Sequence, residues 1–392
     1  MKKTITLLLV LALALGLLTA CGSTEIRSYQ EDAAARADAE DIYANALKAY
    51  SPDTLVATAD GSPVYWNEYA YYLANLAAQL AYPDENGVIE WNDAEGSEES
   101  LGETLRQAAE AQILQYHVIE GLAREQGVEF DAEGETFVES LIQDAITSIA
   151  GETGTEEDMV EALQSYYMDM DVLRYQGKVQ YLYTKLFENN FGASGEKISD
   201  SDVAAYVEEN GLMMAKHILY SFTDDEGAEL DDAGKAEQKA AAEAAAQELQ
   251  AITDQDARLA RFDEIMNADS GDPGLAYYPD GYVFGPGEMM EAFENGTAAL
   301  ELYQVSDPVE TSAGYHVILR LPLTGETVIS TDSTGEPITL RYEVAMQQFS
   351  DMATPRMEAA EIDYEPGFEN LDFNKVFAAK KSGGFFSKLF GK

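Results

Sequence analysis

Two short stretches, Ala215-Lys216-His217-Ile218-Leu219 and Gly314-Tyr315-His316-Val317-Ile318-Leu319, decide the fold of this chain. Each histidine is followed by an apolar run that is typical of a β-strand. His217 and His316 are two of only three histidines in the chain. Two adjacent strands would bring both imidazole rings onto one face of a sheet. Taken singly, each histidine fits equally well as a polar strand residue that is satisfied by backbone groups.

The composition describes an acidic chain with a sizeable core. Its 392 residues are enough for two or three domains. Apolar residues make up 46% of the chain, and 23 Tyr and 15 Phe are available to fill a core. Because 72 acidic residues oppose 24 basic ones, the formal net charge is −48. Nucleic acid is excluded as a partner, since phosphate contacts need clustered Lys and Arg.

The first residues have the pattern of an export signal. Met1-Lys2-Lys3 is basic, and the apolar run over 5–18 is too short to span a bilayer as a stable helix. Thr19 and Ala20 supply the small residues that precede a cleavage site. Residues 1–20 are therefore predicted to be a lipoprotein signal peptide.

Cys21 is the only cysteine of the chain and directly follows this signal. The sequence Leu18-Thr19-Ala20-Cys21-Gly22-Ser23 resembles the lipobox of bacterial lipoproteins, which implies that Cys21 is lipidated. The alternative is an accidental cysteine in an ordinary signal peptide. Lipidation would place the protein on the outer face of the bacterial cytoplasmic membrane, with the acidic residues 21–52 as a tether.

Residues 53–210 are predicted to form a mainly helical, chaperone-like domain. It opens with a hairpin over 54–64, whose turn is Asp60-Gly61, and continues in helices with apolar residues at helical spacing. The predicted helices cover 65–81, 101–126, 137–149, 155–187 and 203–210. Ser199 and Asp202 resemble a capping box before the last of them. His117 has no visible partner in the sequence and is assigned no role.

A stripe of Tyr and Met residues in the predicted helix 155–187 has two interpretations. The stripe consists of Tyr166, Tyr167, Met168 and Met170. Flexible, polarisable side chains of this kind suit an adaptable surface for unfolded clients. The same residues could equally pack the helical domain.

Residues 211–322 resemble the parvulin family of peptidyl-prolyl cis/trans isomerases over about 110 residues. The predicted order is a strand, two helices, a Gly- and Pro-rich stretch, a short helix at 289–295 and two strands, the last at 315–321. The resemblance implies an α+β fold with a four-stranded antiparallel sheet and surrounding helices. It also implies a reaction without metal or cofactor.

Four polar residues occupy the family's catalytic positions. They are His217, Asp272, Thr311 and His316. The resemblance makes the two histidines a dyad, Asp272 the residue that orients and charge-tunes it, and Thr311 the hydroxyl that supports it.

Three apolar residues match the family's substrate-binding positions. Met289 and Phe293 are four residues apart, so one helical face would present both to the proline ring, and Phe284 precedes them. The chain departs from the family at Pro279-Asp280-Gly281-Tyr282, where the pattern is Gly-Asp-Leu-Gly. Gly281 thus replaces an apolar wall residue and leaves a space that Tyr277, Tyr278 or Tyr282 could fill.

The loop after the first strand of this segment bears on the choice of substrate. Some parvulins select phosphorylated Ser or Thr before proline through a basic loop at this place. Here the loop over 223–232 is acidic. It would repel a phosphate group, which argues against selection of phosphorylated substrates.

The remaining segments complete the predicted architecture. Residues 323–378 have strand and turn signals followed by a helix at 340–357. In foldases similar to this chain such a segment returns to the N-terminal helices, so the isomerase segment is predicted to be an insertion in a domain built from both ends. The tail 379–392 interleaves Lys and Phe, which fits either an anionic lipid surface or a disordered tail.

Two functional hypotheses follow from the resemblance. The first is a membrane-anchored, extracytoplasmic peptidyl-prolyl isomerase and foldase that acts on unfolded or newly secreted polypeptides containing proline. The alternative is a non-catalytic chaperone or peptide-binding lipoprotein with a degenerate parvulin domain. The sequence leaves the clients and the oligomeric state open.

Overall fold

The computed structural model describes residues 41–378, except 83, 85–88, 93–99, 225 and 333. The predicted signal peptide, Cys21, most of the tether and the tail 379–392 lie outside the described residues. Within the described part, none of the helices combines the length and the apolar character needed to cross a membrane. The chain divides into two compact units, Met1–Asn190 with Gln348–Lys392, and Phe191–Gln347.

Helices and strands follow one another along the chain as expected for a mixed α+β protein. The helices are α1 Trp66–Leu80, α2 Leu101–Glu125, α3 Ala132–Ala150, α4 Glu156–Gln164, α5 Met170–Phe191, α6 Asp200–Asn210, α7 Asp232–Ala251, α8 Gln255–Asp269, α9 Glu291–Ala298, α10 Leu340–Ala359 and α11 Phe373–Val376. The strands are β1 Leu55–Ala59, β2 Ser62–Tyr65, β3 Met213–Ser221, β4 Tyr282–Phe284, β5 Val309–Glu310, β6 Gly314–Leu321, β7 Val328–Thr331, β8 Pro337–Thr339 and β9 Ile362–Tyr364. Short 3-10 helices lie at Tyr43–Lys48 and Pro273–Ala276.

The first unit combines segments from both ends of the sequence. β1 and β2 form the predicted hairpin, and its turn residues Asp60 and Gly61 both have positive φ, 47° and 79°. These angles are those that the tight hairpin turn requires. β9 adds to the free edge of β1 in a three-stranded sheet of order β2-β1-β9. The first unit is thus built from N- and C-terminal segments. Packing of the whole segment 323–378 on the helical domain stays a prediction.

The predicted helix 155–187 is wrong, because it is broken between α4 and α5. Tyr167 has φ 56°, which no helix residue adopts, and the Met168 N–H turns back to the carbonyl of Leu163. Asp169 then accepts a hydrogen bond from the Val172 N–H at 2.8 Å, which starts α5. Tyr167 and Met168 are only 3% and 5% exposed, so these two pack the unit.

His117 has the partner that the sequence did not reveal. Its ring is 1% exposed, and Nε2 lies 3.1 Å from Oε1 of Glu68 on α1. Glu120, one turn further along α2, accepts hydrogen bonds from Lys178 Nζ at 2.6 Å and from the Tyr175 hydroxyl at 3.1 Å. Burial raises the pKa of Glu68. This polar cluster lies wholly within the first unit.

The second unit contains the predicted four-stranded antiparallel sheet, in the order β4-β3-β6-β5. β3 and β6 pair from Met214 opposite Leu321 to Ser221 opposite Gly314. One face of the sheet packs on α7 and α8 through an apolar cluster. That cluster includes Ile218, Tyr220, Ala246, Leu249, Phe262, Val317 and Leu319. The opposite face carries the two histidines.

The entry into this sheet follows the local signals of the sequence. Ser199 accepts a hydrogen bond from the Asp202 N–H at 3.2 Å, and Asp202 accepts one from the Ser199 N–H at 3.1 Å. The predicted capping box is therefore confirmed. α6 ends at Asn210, and the capping residue Gly211 has a φ of 62°, the left-handed conformation that glycine adopts at helix ends. The domain boundaries at 211 and 322 stay a prediction.

Candidate active site

The pairing of β3 with β6 brings the two histidines together. His217 lies opposite Ile318 and His316 lies opposite Leu219. The two rings are therefore diagonal neighbours on one sheet face, within reach of each other. Their Nδ1 atoms are 3.0 Å apart. With exposed fractions of 8% and 3%, both rings are screened from water.

Asp272 closes one end of this pair. Its Oδ2 lies 3.2 Å from Nε2 of His217 and accepts a hydrogen bond from the Tyr282 hydroxyl at 2.7 Å. Its Oδ1 accepts a bond from the Gly274 N–H at 3.0 Å, which caps the short 3-10 helix. Burial opposes ionisation of this carboxyl, but the bonds from His217, Tyr282 and Gly274 outweigh it and lower the pKa of Asp272 to about 2. Asp272 is consequently a carboxylate at neutral pH.

Thr311 closes the other end. Its Oγ1 lies 2.8 Å from Nε2 of His316 and also accepts a hydrogen bond from the Ala313 N–H at 3.1 Å. Burial, together with the neighbouring His217, lowers the pKa of His316 to about 4. The ring of His316 is therefore neutral at physiological pH.

The hydrogen bonds link the four polar residues in one chain. Asp272 only accepts, so Nε2 of His217 carries a proton. The two Nδ1 atoms share one hydrogen bond, in which one ring donates and the other accepts. Nε2 of His316 shares a hydrogen bond with the Thr311 hydroxyl, which also lies 3.4 Å from the carbonyl oxygen of Gly314. The result is a continuous chain of hydrogen bonds from Asp272 through both rings to Thr311. Among the described residues, no group of three or more His, Cys, Asp or Glu side chains could hold a metal ion.

The apolar side of the site is formed by Phe293. Its ring centroid lies 5.2 Å from that of His217 and 5.3 Å from that of His316, edge-on to both. Phe284 packs behind it at 5.7 Å and is 1% exposed. Phe293 is 3% exposed, whereas Met289, which packs against the same cluster, is half-buried. Met289 is thus the predicted binding residue most open to a ligand.

Met289 and Phe293 do not share a helix as the sequence predicted. α9 begins at Glu291, two residues after the predicted start at 289. Glu294 Oε1 accepts hydrogen bonds from the N–H groups of Gly287 and Met289, at 2.8 and 2.9 Å. These bonds hold the preceding loop outside the helix. The two side chains still meet in one apolar cluster, through the loop rather than through helical spacing.

Tyr282 fills the space beside Gly281. Gly281 has φ 106°, and a Cβ there would lie 2.8 Å from the carbonyl oxygen of Ala215, so no leucine fits. The Tyr282 ring lies 5.5 Å from that of His217, and the Tyr278 ring contacts Tyr282 in a tilted arrangement at 4.9 Å. Tyr277 is 82% exposed. Of the three tyrosines proposed from the sequence, Tyr282 is the one in contact with the histidine pair.

The segment that contains all these residues matches a known family. Residues 217–321 match the Rotamase family, described as the PPIC-type PPIASE domain. Residues 217–321 form a parvulin-type peptidyl-prolyl isomerase domain. The resemblance inferred from the sequence is thereby confirmed. Within the isomerase domain, the matched range starts at the first histidine of the dyad and ends with the last residue of β6.

Three known proteins are similar to this chain. The chain is 27% identical over 229 residues to the foldase protein PrsA of Halalkalibacterium halodurans, and the alignment covers 56% of this chain and 58% of that protein. It is 45% identical over 60 residues to PrsA of a Geobacillus species, covering 14% and 21% of the two chains. A solved structure of PrsA from Bacillus subtilis is 20% identical, covers 76% of this chain and 98% of its own, and gives a TM-score of 0.27.

Proposed function

We propose that this protein is a membrane-anchored, extracytoplasmic peptidyl-prolyl cis/trans isomerase and foldase that assists the folding of secreted proteins. The observation that carries the proposal is the 3.0 Å contact between the Nδ1 atoms of His217 and His316, closed by Asp272 and Thr311 and set against Phe293. The foldase part is supported by the similarity of the chain to the foldase protein PrsA of two bacteria.

The reaction is a rotation about one amide bond. Its barrier is about 18–20 kcal/mol, because the nitrogen donates electron density into the carbonyl. Prolyl bonds therefore isomerise in roughly tens to hundreds of seconds without a catalyst. An enzyme accelerates the rotation by binding the twisted amide better than either planar form. No covalent intermediate is needed.

The site offers two ways to favour the twisted amide. The twisted form has lost nitrogen donation, so its carbonyl oxygen carries less negative charge than that of the planar amide. A screened site next to the buried rings of His217 and His316 therefore penalises the planar amide more than the twisted one. Met289 and Phe293 would hold the pyrrolidine ring, and Phe284 would support Phe293 from behind.

Asp272 and Thr311 would act on the rings rather than on the substrate. Each fixes one Nε2 atom, so the rings keep a single tautomer and orientation beside the substrate carbonyl. In this proposal they are positioning residues. Asp272→Ala removes the acceptor of His217 and is expected to lower turnover on a proline-containing tetrapeptide.

The test of isomerisation is a protease-coupled assay on the full chain with an X-Pro tetrapeptide. The wild type should accelerate the slow phase at micromolar enzyme, and Asp272→Ala should accelerate it less. A wild type that leaves the slow phase at the uncatalysed rate refutes the enzymatic proposal. If that same preparation suppresses aggregation of an unfolded client, the alternative of a non-catalytic chaperone replaces it.

The membrane anchor is tested separately from the chemistry. Cys21 is the proposed lipidation site, outside the described residues. Expressed in a bacterium fed a labelled fatty acid, the wild type should carry the label and sediment with membranes. Cys21→Ala should lose both properties. Equal labelling of the two proteins would exclude Cys21 as the anchor.

A further inference from the structure

We infer that Tyr282 is a positioning residue of the isomerase site, which holds the Asp272 carboxylate in the orientation that His217 requires. The inference rests on the proposed isomerase function. It assigns a role to a residue that follows Gly281 in the stretch where this chain departs from the family pattern. Nothing in the spacing of the family's motif would select Tyr282 for such a role.

The hydrogen bonds at Asp272 define what Tyr282 does. The Tyr282 hydroxyl donates to Oδ2 at 2.7 Å, and the same oxygen lies 3.2 Å from Nε2 of His217. The Gly274 N–H holds Oδ1 at 3.0 Å. Both carboxylate oxygens of Asp272 accept hydrogen bonds, so the carboxylate cannot rotate about its Cβ–Cγ bond without breaking at least one of them. Without the phenol, Oδ2 would keep only the longer contact to His217.

The surrounding backbone is shaped to admit the tyrosine. A Cβ on Gly274 would lie 2.0 Å from the Tyr282 hydroxyl oxygen, so only glycine leaves room for the phenol. Gly281 brings the start of β4 against Ala215, at a φ that favours glycine. The ring of Tyr278, half exposed, packs against Tyr282 at 4.9 Å, tilted by 38°. Three separate residues thus accommodate one side chain.

The phenol is also electrostatically suited to be a permanent donor. Burial and the adjacent Asp272 carboxylate raise the pKa of Tyr282 well above its usual range. The hydroxyl therefore keeps its proton at any physiological pH. Its ring stays 5.5 Å from His217, where the family has the pocket wall. Removal of the Tyr282 hydroxyl alone should therefore change the orientation of the Asp272 carboxylate. The Tyr282 ring should stay in place beside His217.

The first experiment compares Tyr282→Phe with Tyr277→Phe, both in the full chain. Tyr277 is an adjacent tyrosine that is 82% exposed and serves as the matched control. Tyr282→Phe should lower kcat by about 3- to 10-fold, which corresponds to one hydrogen bond. KM should change little because the ring remains. A kcat of Tyr282→Phe equal to that of the control overturns the inference.

The second experiment does not depend on activity. Carbon-13 NMR of the Asp272 carboxyl follows its titration, which in the wild type should have a midpoint of about 2. Loss of the phenol donor should raise this midpoint in Tyr282→Phe and leave it unchanged in Tyr277→Phe. An unshifted midpoint overturns the inference even if the wild type is an active isomerase. A wild type without isomerase activity would refute the proposed function while this titration still decides the role of Tyr282.

A third variant disturbs the hydrogen bond between Tyr282 and Asp272 by a change at Gly274. Gly274→Ala should push the phenol off Asp272 and lower kcat about as much as Tyr282→Phe. In the double variant the clash with the hydroxyl is gone, so its kcat should be no lower than that of either single variant. Losses that multiply in the double variant would mean that the two residues act independently, which contradicts the inference. Far-UV circular dichroism of all variants checks that they fold.

Discussion

At the dyad, one ionised carboxylate fixes a proton on the ring next to it. Asp272 only accepts, so Nε2 of His217 carries a proton. The contact between the two Nδ1 atoms and the contact with the Thr311 hydroxyl extend the chain to both nitrogens of His316. Burial of the His316 ring, together with the neighbouring His217, disfavours its protonation.

His316 is therefore expected to stay neutral far below the usual titration range of histidine. Burial and the neighbouring His217 lower the pKa of His316 to about 4. Proton–nitrogen correlation NMR of the imidazole rings should show a neutral His316 at pH 5 and a midpoint of about 4. The His316→Asn variant identifies its signal. A midpoint near 6.5, the value of an unperturbed histidine, would contradict the geometry.

The lowered pKa of His316 makes the stability of the folded domain depend on pH. Between pH 6.5 and about 4 the unfolded chain binds a proton at His316 that the folded domain does not. The folded domain therefore loses stability as the pH falls through this window, by about 1–3 kcal/mol. Hydrogen exchange of the β3 and β6 amides measures the loss. In His316→Asn this part of the pH dependence should disappear.

At the scale of elements, hydrogen bonds from backbone N–H groups to single side chains decide where two helices begin. Glu294 holds the loop before α9 by two backbone N–H groups, and Asp169 starts α5 by accepting from Val172. In both places apolar periodicity alone predicted a helix that starts too early or runs through a break. The position of β4 likewise depends on one local feature, the close approach of Gly281 to the backbone of Ala215.

Gly281→Ala is expected to destabilise the β3–β4 edge more than an equally strained glycine elsewhere. Gly335 is the matched control, because its φ is 89° and a Cβ there would meet nothing within 4 Å. Strain alone costs about 1–3 kcal/mol at either position. At Gly281 the added Cβ would also lie 2.8 Å from the Ala215 carbonyl oxygen. Hydrogen exchange and urea unfolding compare the two variants, and equal losses would show that the close approach does not matter.

At the scale of the whole molecule, the helical unit depends on both ends of the chain. β9 pairs with β1, with Tyr364 opposite Ala57, and the guanidinium of Arg356 bonds the Asp60 carboxylate at 2.8 Å. The Tyr69 and Tyr364 hydroxyls are 3.1 Å apart. These contacts join residues that precede the isomerase domain in the sequence to residues that follow it. All of them lie inside one unit.

Cutting the chain at the proposed boundaries should therefore leave the ends associated. Protease sites inserted after residues 211 and 323 would release three fragments. The N- and C-terminal fragments should co-elute in size-exclusion chromatography without denaturant and separate in urea, since β1–β9 pairing and buried contacts hold them together. Separation of these two fragments in native buffer would contradict an inserted isomerase domain.

The net charge of −48 should govern which peptides reach the site. A Lys-Pro tetrapeptide is expected to have a higher kcat/KM than a phosphoserine-Pro one, by about 3- to 10-fold at low salt. The acidic loop at 223–232 contributes to this repulsion of phosphate. The difference should shrink in 0.5 M salt, roughly where the Debye length is only a few ångströms. An Ala-Pro peptide is the control, and a phosphopeptide preference would contradict the expectation.

Local patterns in the sequence determined the elements, and much of the site with them. The hairpin at Asp60-Gly61, the capping box of Ser199 and Asp202, and the paired strands of His217 and His316 follow from turn chemistry and periodicity over a few residues. The dyad contact follows in turn from strand pairing, because antiparallel neighbours share a face. Positions near the ends of helices were less well predicted, since they depend on single side-chain hydrogen bonds.

Only the tertiary structure decided how polar side chains pair across the fold. The bond from Tyr282 to Asp272 and the contact of His117 with Glu68 join residues 10 and 49 positions apart. No sequence spacing specifies such pairs, because they depend on which backbones approach closely, as at Gly274 and Gly281. A hydrogen bond needs its two atoms within about 3 Å, and that precision arises only when the packed core has placed both strands and loops.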